Sequence, residues 1–320
     1  MIPFGPVPSR RLGQSLGINN IPPKICSYSC VYCQLGRTLK MQVERQPFYQ
    51  PEEILRAVRE KVEKAREAGG PVDYLTFVPD GEPTLDFNLG REIHLLRELD
   101  IPIAVITNSS LIDRSDVRKD LMGANWVSLK MDAVDQGVWR RIIRPHRRLE
   151  LNSILEGALE FAKAFRGELA TETMLVAGLN DSDPLLRGTA DFLARLQPAV
   201  AYLSIPTRPP AEAWVRAPSE DVTNRAYQIF SERLNRVEYL IGYEGNAFAF
   251  TGNVEEDLLS ITSVHPMREN AVDEFLTRAG TDRSVVDRLI NQDQLIETQY
   301  GGYKFYLRKL GKRSESRTLR

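Results

Sequence analysis

Apolar and polar positions follow two alternating patterns between residues 51 and 234. In the first pattern, apolar residues recur every three or four positions, which places them on one side of a helix. This pattern predicts helices at 51–68, 89–99, 113–122, 151–165, 184–196 and 221–234. The second pattern is a short, nearly continuous apolar run, and it predicts buried strands at 73–78, 101–107, 126–131, 169–176 and 200–205. Strands that alternate with helices predict an α/β fold with a parallel sheet.

The pattern changes near residue 255, and a second domain is predicted from there. Short helices are predicted at 256–264, 268–279 and 282–291, followed by strands at 295–300 and 303–310 around the Gly-Gly pair 301–302. This order predicts a winged helix-turn-helix. The domain boundaries that follow are 1–250 for the α/β domain, 255–310 for the winged helix and 311–320 for a basic tail.

A winged helix next to a basic tail is typical of nucleic-acid contact. Winged helices also serve as modules that dock proteins, and a basic tail is often only solvated. Both interpretations stand for this part of the sequence.

Composition adds limits to this picture. The chain of 320 residues has 42 Lys and Arg against 43 Asp and Glu, a pI near 6.4 and a mean hydropathy of -0.31. A near-neutral charge requires neither nucleic acid nor an acidic membrane as partner. No apolar run is long enough to span a membrane, and the first residues lack the apolar core of a signal peptide. We therefore expect a cytoplasmic protein with no membrane contact.

All cysteines of the chain lie in the stretch KICSYSCVYCQLGRT, as Cys26, Cys30 and Cys33. An odd number of cysteines in a reducing compartment argues against disulfides and favours a metal-binding or catalytic cluster. A structural zinc ion takes four ligands, and the histidines at 94, 146 and 265 are neither near nor paired, so zinc would need a distant fourth ligand. A 4Fe–4S cluster normally takes four thiolates, and three would leave one iron open to a small ligand.

The spacing C-x3-C-x2-C, with Tyr32 before the last cysteine, resembles the signature of the radical S-adenosylmethionine (radical SAM) superfamily. The resemblance implies a partial (β/α)6 TIM-like barrel with the cysteine loop after its first strand. It also implies that Cys26, Cys30 and Cys33 hold a 4Fe–4S cluster whose open iron binds SAM. Tyr32 would then lie against the adenine.

Residues at the predicted strand ends agree with this resemblance, because active residues of such barrels lie at the carboxyl ends of strands. The stretch PDGEPTLD after the strand at 73–78 resembles the superfamily's glycine–glycine–glutamate motif, which meets the SAM ammonium group. Gly81 and Glu82 match that motif, whereas Asp80 stands where the first glycine is usual. A simple β-turn is the alternative interpretation of this stretch.

Three further polar residues follow strands. Asn108 comes after the strand at 101–107, and Lys130 and Asp132 end the strand at 126–131. By resemblance they are predicted to bind SAM, Lys130 and Asp132 through its ribose and carboxylate. Asp132 is also a reasonable helix N-cap. In the next strand, Thr171 and Thr173 are predicted to face the barrel interior.

Three loops place an arginine near a proline or a strand end. These arginines are Arg10 in VPSRRLG, Arg144 in IIRPH and Arg208 in PTRPP. Since a guanidinium group matches carboxylates and phosphates, they predict a negatively charged substrate. Surface arginines beside turn prolines would give the same pattern.

Taken together, these motifs resemble a branch of prokaryotic Fe–S oxidoreductases that is distantly similar to the wyosine-forming tRNA enzymes. The resemblance implies an oxidoreductase or transferase that takes one electron from a donor such as flavodoxin or ferredoxin and cleaves SAM reductively. The resulting 5′-deoxyadenosyl radical abstracts hydrogen from a substrate, for which RNA is the first hypothesis. The alternatives are a peptide or protein docked on the winged helix, and a non-catalytic Fe–S regulator that binds DNA. The tRNA enzymes use a second cluster with further cysteines, which this chain lacks.

Overall fold

A computed structural model describes residues 2–242, 245–246 and 248–309. The first unit alternates strands with helices. Its strands are β1 (Pro3–Ser9), β2 (Gly13–Ile18), β3 (Ile25–Cys26), β4 (Lys40–Met41), β5 (Tyr74–Phe77), β6 (Ile103–Thr107), β7 (Trp126–Lys130), β8 (Glu168–Met174), β9 (Val200–Ser204) and β10 (Val237–Leu240). Its helices are α1 (Pro51–Glu67), α2 (Leu89–Leu96), α3 (Ser115–Leu121), α4 (Gln136–Ile143), α5 (Leu151–Ala164), α6 (Asp183–Leu196) and α7 (Glu220–Ser231).

One 8-stranded sheet forms the centre of this unit, in the order β1-β2-β5-β6-β7-β8-β9-β10. Strand β1 is antiparallel to β2, and each remaining pair is parallel. The predicted α/β alternation is confirmed. The sheet also contains β1, β2 and β10, which the apolar pattern does not predict, and α4 is an additional helix.

Helix α1 shows why the helices cover the sheet. It begins at Pro51, a residue suited to the first helical turn, and it ends before Gly69, whose φ of +74° is left-handed. Its stripe of Ile54, Val58 and Val62 is buried against the main core. Burying an aliphatic side chain of this size contributes about 1.5–3 kcal/mol, so the stripe fixes the helix on the sheet.

The two faces of the sheet belong to different cores. Val105, Leu129 and Leu203 point to the face that packs on the helices. Trp126 and Tyr202, which have the opposite phase along their strands, belong to a smaller core on the other face. This smaller core fills the interior below the carboxyl ends of the strands.

The second unit consists of helices and a small sheet. Its elements are α8 (Val254–Val264), β11 (Met267–Arg268), α9 (Glu269–Arg278), α10 (Ser284–Asn291), β12 (Leu295–Tyr300) and β13 (Tyr303–Arg308). The predicted three helices and hairpin are present, and β11 adds a third strand in the order β11-β13-β12. The predicted basic tail 311–320 lies outside the described residues. Within the described part of the chain, every helix is too short or too polar to cross a lipid bilayer.

The second unit shares its core with the first strand of the chain. Phe4 and Val7 of β1 lie in the same cluster as Phe275 and Tyr306. The Phe4 ring covers Gly17 of β2, where a Cβ would lie 2.0 Å from the ring. A buried ion pair between Lys61 Nζ and Asp257 Oδ1, at 2.7 Å, also joins α1 to α8. The second unit is therefore packed onto the barrel and is not a separate arm.

Candidate SAM and iron–sulfur site

The cysteine loop lies at the carboxyl edge of the sheet and is fixed to the end of α4. Ser29 N donates to Ile143 O at 3.1 Å, and Val31 N donates to Ile142 O at 2.9 Å. On the other side, His146 N donates to Ser27 O at 2.9 Å. The backbone of the IIRPH motif thus forms hydrogen bonds with the loop that carries the three thiols.

A buried carboxylate holds the same loop from a third direction. Glu212 N donates to Val31 O at 3.0 Å, and its carboxylate accepts two hydrogen bonds from Arg37, at 2.9 and 3.1 Å, and one from Arg144. Arg144, predicted as a substrate residue, therefore has a carboxylate partner within the chain. Glu212 has no motif around it that identifies this role, because its partners are distant in sequence.

The three thiols fit a metal cluster by the chemistry of the donor set. Each cysteine is free and only partly exposed. Burial, followed by the charge of Glu82, raises the pKa of Cys26 to about 12, so the thiolate form needs a cation such as a coordinated metal. Among the described residues, no three His, Cys, Asp or Glu side chains surround a single-ion position. An Fe–S cluster places each thiolate on a different iron.

Asn108 connects the end of β6 to the cysteine loop. Its side-chain Nδ2 donates to Cys26 Sγ at 3.4 Å and to Ser27 Oγ at 3.0 Å. Its backbone N donates to Glu82 Oε2 at 2.7 Å. The predicted cofactor residue thus contacts the first thiol directly, and its role toward SAM stays a prediction.

Glu82 is buried and accepts hydrogen bonds from the chain itself. Oε1 accepts from Thr84 N at 3.1 Å, Thr84 Oγ1 at 2.6 Å and Thr107 Oγ1 at 2.6 Å, while Oε2 accepts from Asn108. Burial raises the pKa of Glu82, and these four donors oppose that rise. The carboxylate therefore ties the turn after β5 to the end of β6, and its predicted contact with the SAM ammonium group stays a prediction.

Gly81 allows the turn after β5 to approach the cysteine loop. Ile25 and Gly81 form an isolated parallel bridge, and Glu82 N donates to Ile25 O at 3.2 Å. A Cβ on Gly81 would lie 1.9 Å from Ile25 O, far inside contact distance. Only glycine fits this approach.

We expect Gly81→Ala to destabilise the protein by about 1–3 kcal/mol, because overpacking must displace backbone rather than a flexible side chain. Since Ile25 precedes Cys26, the iron content after reconstitution should also fall. Urea unfolding and iron analysis measure both effects. Gly188→Ala, inside α6 with its nearest contact at 3.5 Å, is the control and should keep its iron. Equal iron in both variants would contradict the proposed constraint.

Tyr32 is held against the ends of β7 and β8. Its hydroxyl donates to Asp132 Oδ2, and Asp132 Oδ1 accepts from Met174 N at 2.7 Å. Asp132 is buried, and the N-cap of α4 is Asp135. The alternative interpretation of Asp132 as a helix cap is therefore wrong, and its side chain belongs to the site.

Glu172 is a site residue that the sequence analysis missed. Its Oε1 accepts from Lys130 Nζ at 2.9 Å and from Ser204 Oγ at 3.0 Å, and Oε2 pairs with Arg11. Lys130 also lies 4.9 Å from the centre of the Tyr32 ring. The carboxylate is thus the centre of a buried charge network at the strand ends.

The prediction for Thr171 and Thr173 is wrong by one residue. Glu172 and Met174 line the cavity described next, so Thr171 and Thr173, with the opposite phase on β8, point toward the helices. Both faces of β8 are buried, and a strand buried on both sides carries no alternation that would fix its phase.

A cavity of about 290 Å³ opens beside the cysteine loop. Tyr32, Cys33 and Gln34 line one side of it. Its charged or polar lining residues include Arg10, Arg11, Lys130, Glu172, Ser204 and Arg208. Of the three arginines predicted to meet a substrate, Arg10 and Arg208 thus line the cavity, whereas Arg144 is not part of its lining.

Arg208 links the cavity to the second unit. Its Nη1 donates to Gln34 Oε1 at 2.8 Å, and its Nη2 lies 3.0 Å from His265 Nε2. Gln34 Nε2 donates to Val264 O at 2.8 Å, at the end of α8. His265 is the C-cap of that helix. The residue after the third cysteine is therefore bound to the second unit.

Comparison with known proteins gives relatives over the whole chain. The model of the Radical SAM superfamily matches residues 20–187. A UPF0026 protein of Methanocaldococcus jannaschii is 48% identical and covers 98% of both chains. A UPF0026 protein of Helicobacter pylori is 34% identical over 65% of this chain and 67% of its own.

Two solved structures share the fold at low identity. A radical SAM methyltransferase from Sphaerobacter thermophilus has a TM-score of 0.51 and 19% identity, and the match covers 71% of this chain and 66% of that one. TYW1 with a lysine–pyruvate adduct bound has a TM-score of 0.53 and 19% identity, with 69% and 74% covered. At this level of identity, the two similarities show the fold alone.

Proposed function

The chain belongs to the radical SAM superfamily, and we propose that it is an enzyme that holds a 4Fe–4S cluster on Cys26, Cys30 and Cys33. SAM would occupy the adjacent cavity. One observation carries this proposal: three thiols on a fixed loop stand beside a cavity with charged lining residues at the carboxyl edge of a parallel sheet. In barrels of this kind, the active site lies at this edge.

When bound, the cluster and SAM supply reductive cleavage of SAM and abstraction of hydrogen from the substrate. The chain's own residues position the side chains at the cavity wall and supply their charges. Asp132 holds the Tyr32 ring at the cavity wall, and Lys130 lies over that ring. Glu172 keeps Lys130 and Arg11 in place. The apolar core below the cavity keeps water from entering through the barrel.

The charge of the cavity supports a substrate with an anionic group. Arg10, Arg11, Lys130 and Arg208 face it, and Glu172 is the one carboxylate among the lining residues that the structure describes. Guanidinium groups recognise carboxylates and phosphates. RNA, the first hypothesis from the sequence, and an acidic peptide both carry such groups.

The charge of the second unit favours a peptide or protein substrate over RNA. Acidic residues outnumber basic ones by ten to seven between residues 254 and 309, and with the tail to residue 320 the two are equal at eleven each, so this part of the chain has no excess of positive charge. Arg283, Arg288 and Lys304 also form ion pairs within the unit. Protein surfaces that bind nucleic acid carry basic groups that face outward, and this unit has few such groups. We propose that the second unit is a winged helix that receives a peptide or protein substrate. The hypothesis of a DNA-binding regulator loses support for the same reason.

The proposed activity predicts 5′-deoxyadenosine from SAM. Protein prepared without oxygen and reconstituted with iron and sulfide should form it when dithionite is added, as chromatography and mass spectrometry would show. Omitting dithionite is the control and should give background only. A non-catalytic regulator would give no product under either condition. Such a result, with an intact cluster, would contradict the enzymatic proposal.

A further inference from the structure

The cysteine loop has an outer side that faces away from the cavity. This side, called the basic face, is defined by nine residues: Arg37, Leu39, Lys40, Met41, Arg140, Arg141, Arg144, Arg147 and Arg148. All nine are exposed, and none of them lines the cavity. A partner on the basic face would therefore leave the route of the substrate open.

The basic face is continuous with the strand of the first thiol. Strand β4 pairs with β3, which places Met41 directly beside Cys26. Neighbouring strands lie about 4.8 Å apart, so only one strand separates solvent from Cys26 on this side. A bridge between Tyr28 and Pro145 joins the cysteine loop to the arginine-rich segment that follows α4.

The charge of the basic face is strongly positive. Residues 136–148 contain five arginines and no acidic residue. Arg37 and Arg144 share Glu212, and Arg148 pairs with Glu44. Lys40, Arg140, Arg141 and Arg147 form no ion pair with any residue that the structure describes. Several positive charges that no carboxylate neutralises attract an acidic surface and speed its association.

The basic face also includes two exposed apolar side chains, which favour a protein over RNA as its partner. Leu39 is 67% exposed and Met41 is 36% exposed. Protein interfaces combine an apolar centre with a polar rim. Single-stranded nucleic acid instead uses exposed aromatic rings for stacking. Tyr28 and Trp139, the aromatic residues beside this face, are buried.

We propose that the basic face docks an acidic one-electron carrier protein, such as a flavodoxin or ferredoxin. The proposal rests on the proposed function, which requires an external electron. One electron leaves the carrier, which is oxidised by one unit, and enters the cluster, which is reduced by one unit. No bond forms or breaks in this step. On this side, only strand β4 lies between the surface and the strand that carries Cys26.

Paired charge reversals test the docking surface. The variant Arg140→Glu/Arg141→Glu changes two exposed residues in the last turn of α4. The control, Lys64→Glu/Arg66→Glu, changes two exposed basic residues in the last turn of α1. Because both variants reverse two charges at the carboxyl end of a helix, they should destabilise their helices by similar amounts. Formation of 5′-deoxyadenosine is measured with reduced flavodoxin and, separately, with dithionite. Calorimetry at low and high salt measures flavodoxin binding directly.

We expect the α4 variant to need at least about tenfold more flavodoxin for half-maximal rate and to bind it correspondingly more weakly at low salt. Its rate with dithionite and all rates of the α1 control should match the parent protein. Unchanged flavodoxin binding in the α4 variant would overturn the proposal. Loss of tRNA binding in a gel shift, with flavodoxin binding unchanged, would assign the surface to RNA instead.

Failure of the proposed function would look different. No 5′-deoxyadenosine would then form with dithionite in the parent protein. The calorimetric comparison of the α4 and α1 variants would still decide whether an acidic carrier binds the basic face. The two proposals can therefore fail separately.

Discussion

Replacing Cys26, Cys30 or Cys33 singly by alanine is expected to remove most of the iron and to abolish 5′-deoxyadenosine formation. Two thiolates cannot hold a cluster that already lacks a fourth protein ligand. Even residues that only support metal ligands are worth about 10–100-fold in affinity or activity, so loss of a ligand should exceed a hundredfold. Iron and sulfide analysis, visible absorbance and product formation with dithionite measure the outcome.

Ser29→Ala is the control within the same loop. Ser29 Oγ accepts only a long hydrogen bond from Thr38 N, at 3.4 Å, so its loss should leave the cluster in place. If a cysteine variant kept its full iron content, that residue would not be a ligand. Stoichiometric zinc in the parent protein, prepared without oxygen, would overturn the cluster itself.

The cysteine cluster and the α/β alternation could be recognised in the sequence because both signals are local. Three cysteines within eight positions need no knowledge of the fold, and the apolar stripe of α1 is visible from spacing alone. The strand ends that carry Asn108, Lys130 and Asp132 followed from the same alternation. Their side chains do lie at one edge of the sheet.

Contacts between distant segments could not be predicted in this way. Glu212 joins Arg37 and Arg144 across separations of 175 and 68 residues. No periodicity connects such positions, and glutamate before an alanine-rich turn looks like a solvated residue. Glu172 was hidden for a different reason, since both faces of β8 are buried and the strand shows no alternation.

Strand β1 illustrates a third limit. Its sequence PFGPVPS contains three prolines and a glycine, which is the composition of a turn. Proline is tolerated in a strand at the edge of a sheet, and β1 occupies an edge. What keeps it there is the second unit, whose core includes Phe4 and Val7. An edge strand covered by a distant domain cannot be recognised from its own residues.

This packing changes how the second unit relates to the site. Gln34 and Arg208 connect the cavity to the end of α8, while β1 and the pair Lys61–Asp257 fix the unit to the barrel. Residues at the end of α8 therefore contact the wall of the cavity directly.

The variant Glu172→Gln is expected to lower the free energy of unfolding by about 3–5 kcal/mol near pH 7. The glutamine would take the charge of Glu172 away from Lys130 and Arg11, which are mostly buried, and removing one partner from a buried ion pair costs that amount. Glu44→Gln is the matched control, because its ion pair with Arg148 is exposed and should contribute less than about 1 kcal/mol. Urea unfolding of anaerobically purified protein measures both changes.

The pH dependence separates this charge effect from a packing effect. Burial alone would raise the pKa of Glu172, but Lys130 and Arg11 together hold it below its ordinary value. A carboxylate with a lowered pKa contributes stability that is fully present above its unfolded value of about 4.3 and is lost as the pH falls below that value. The stability difference between the parent protein and Glu172→Gln should therefore narrow from pH 5 to pH 3. A difference that stayed constant over this range would show that packing, and not charge, makes Glu172 necessary.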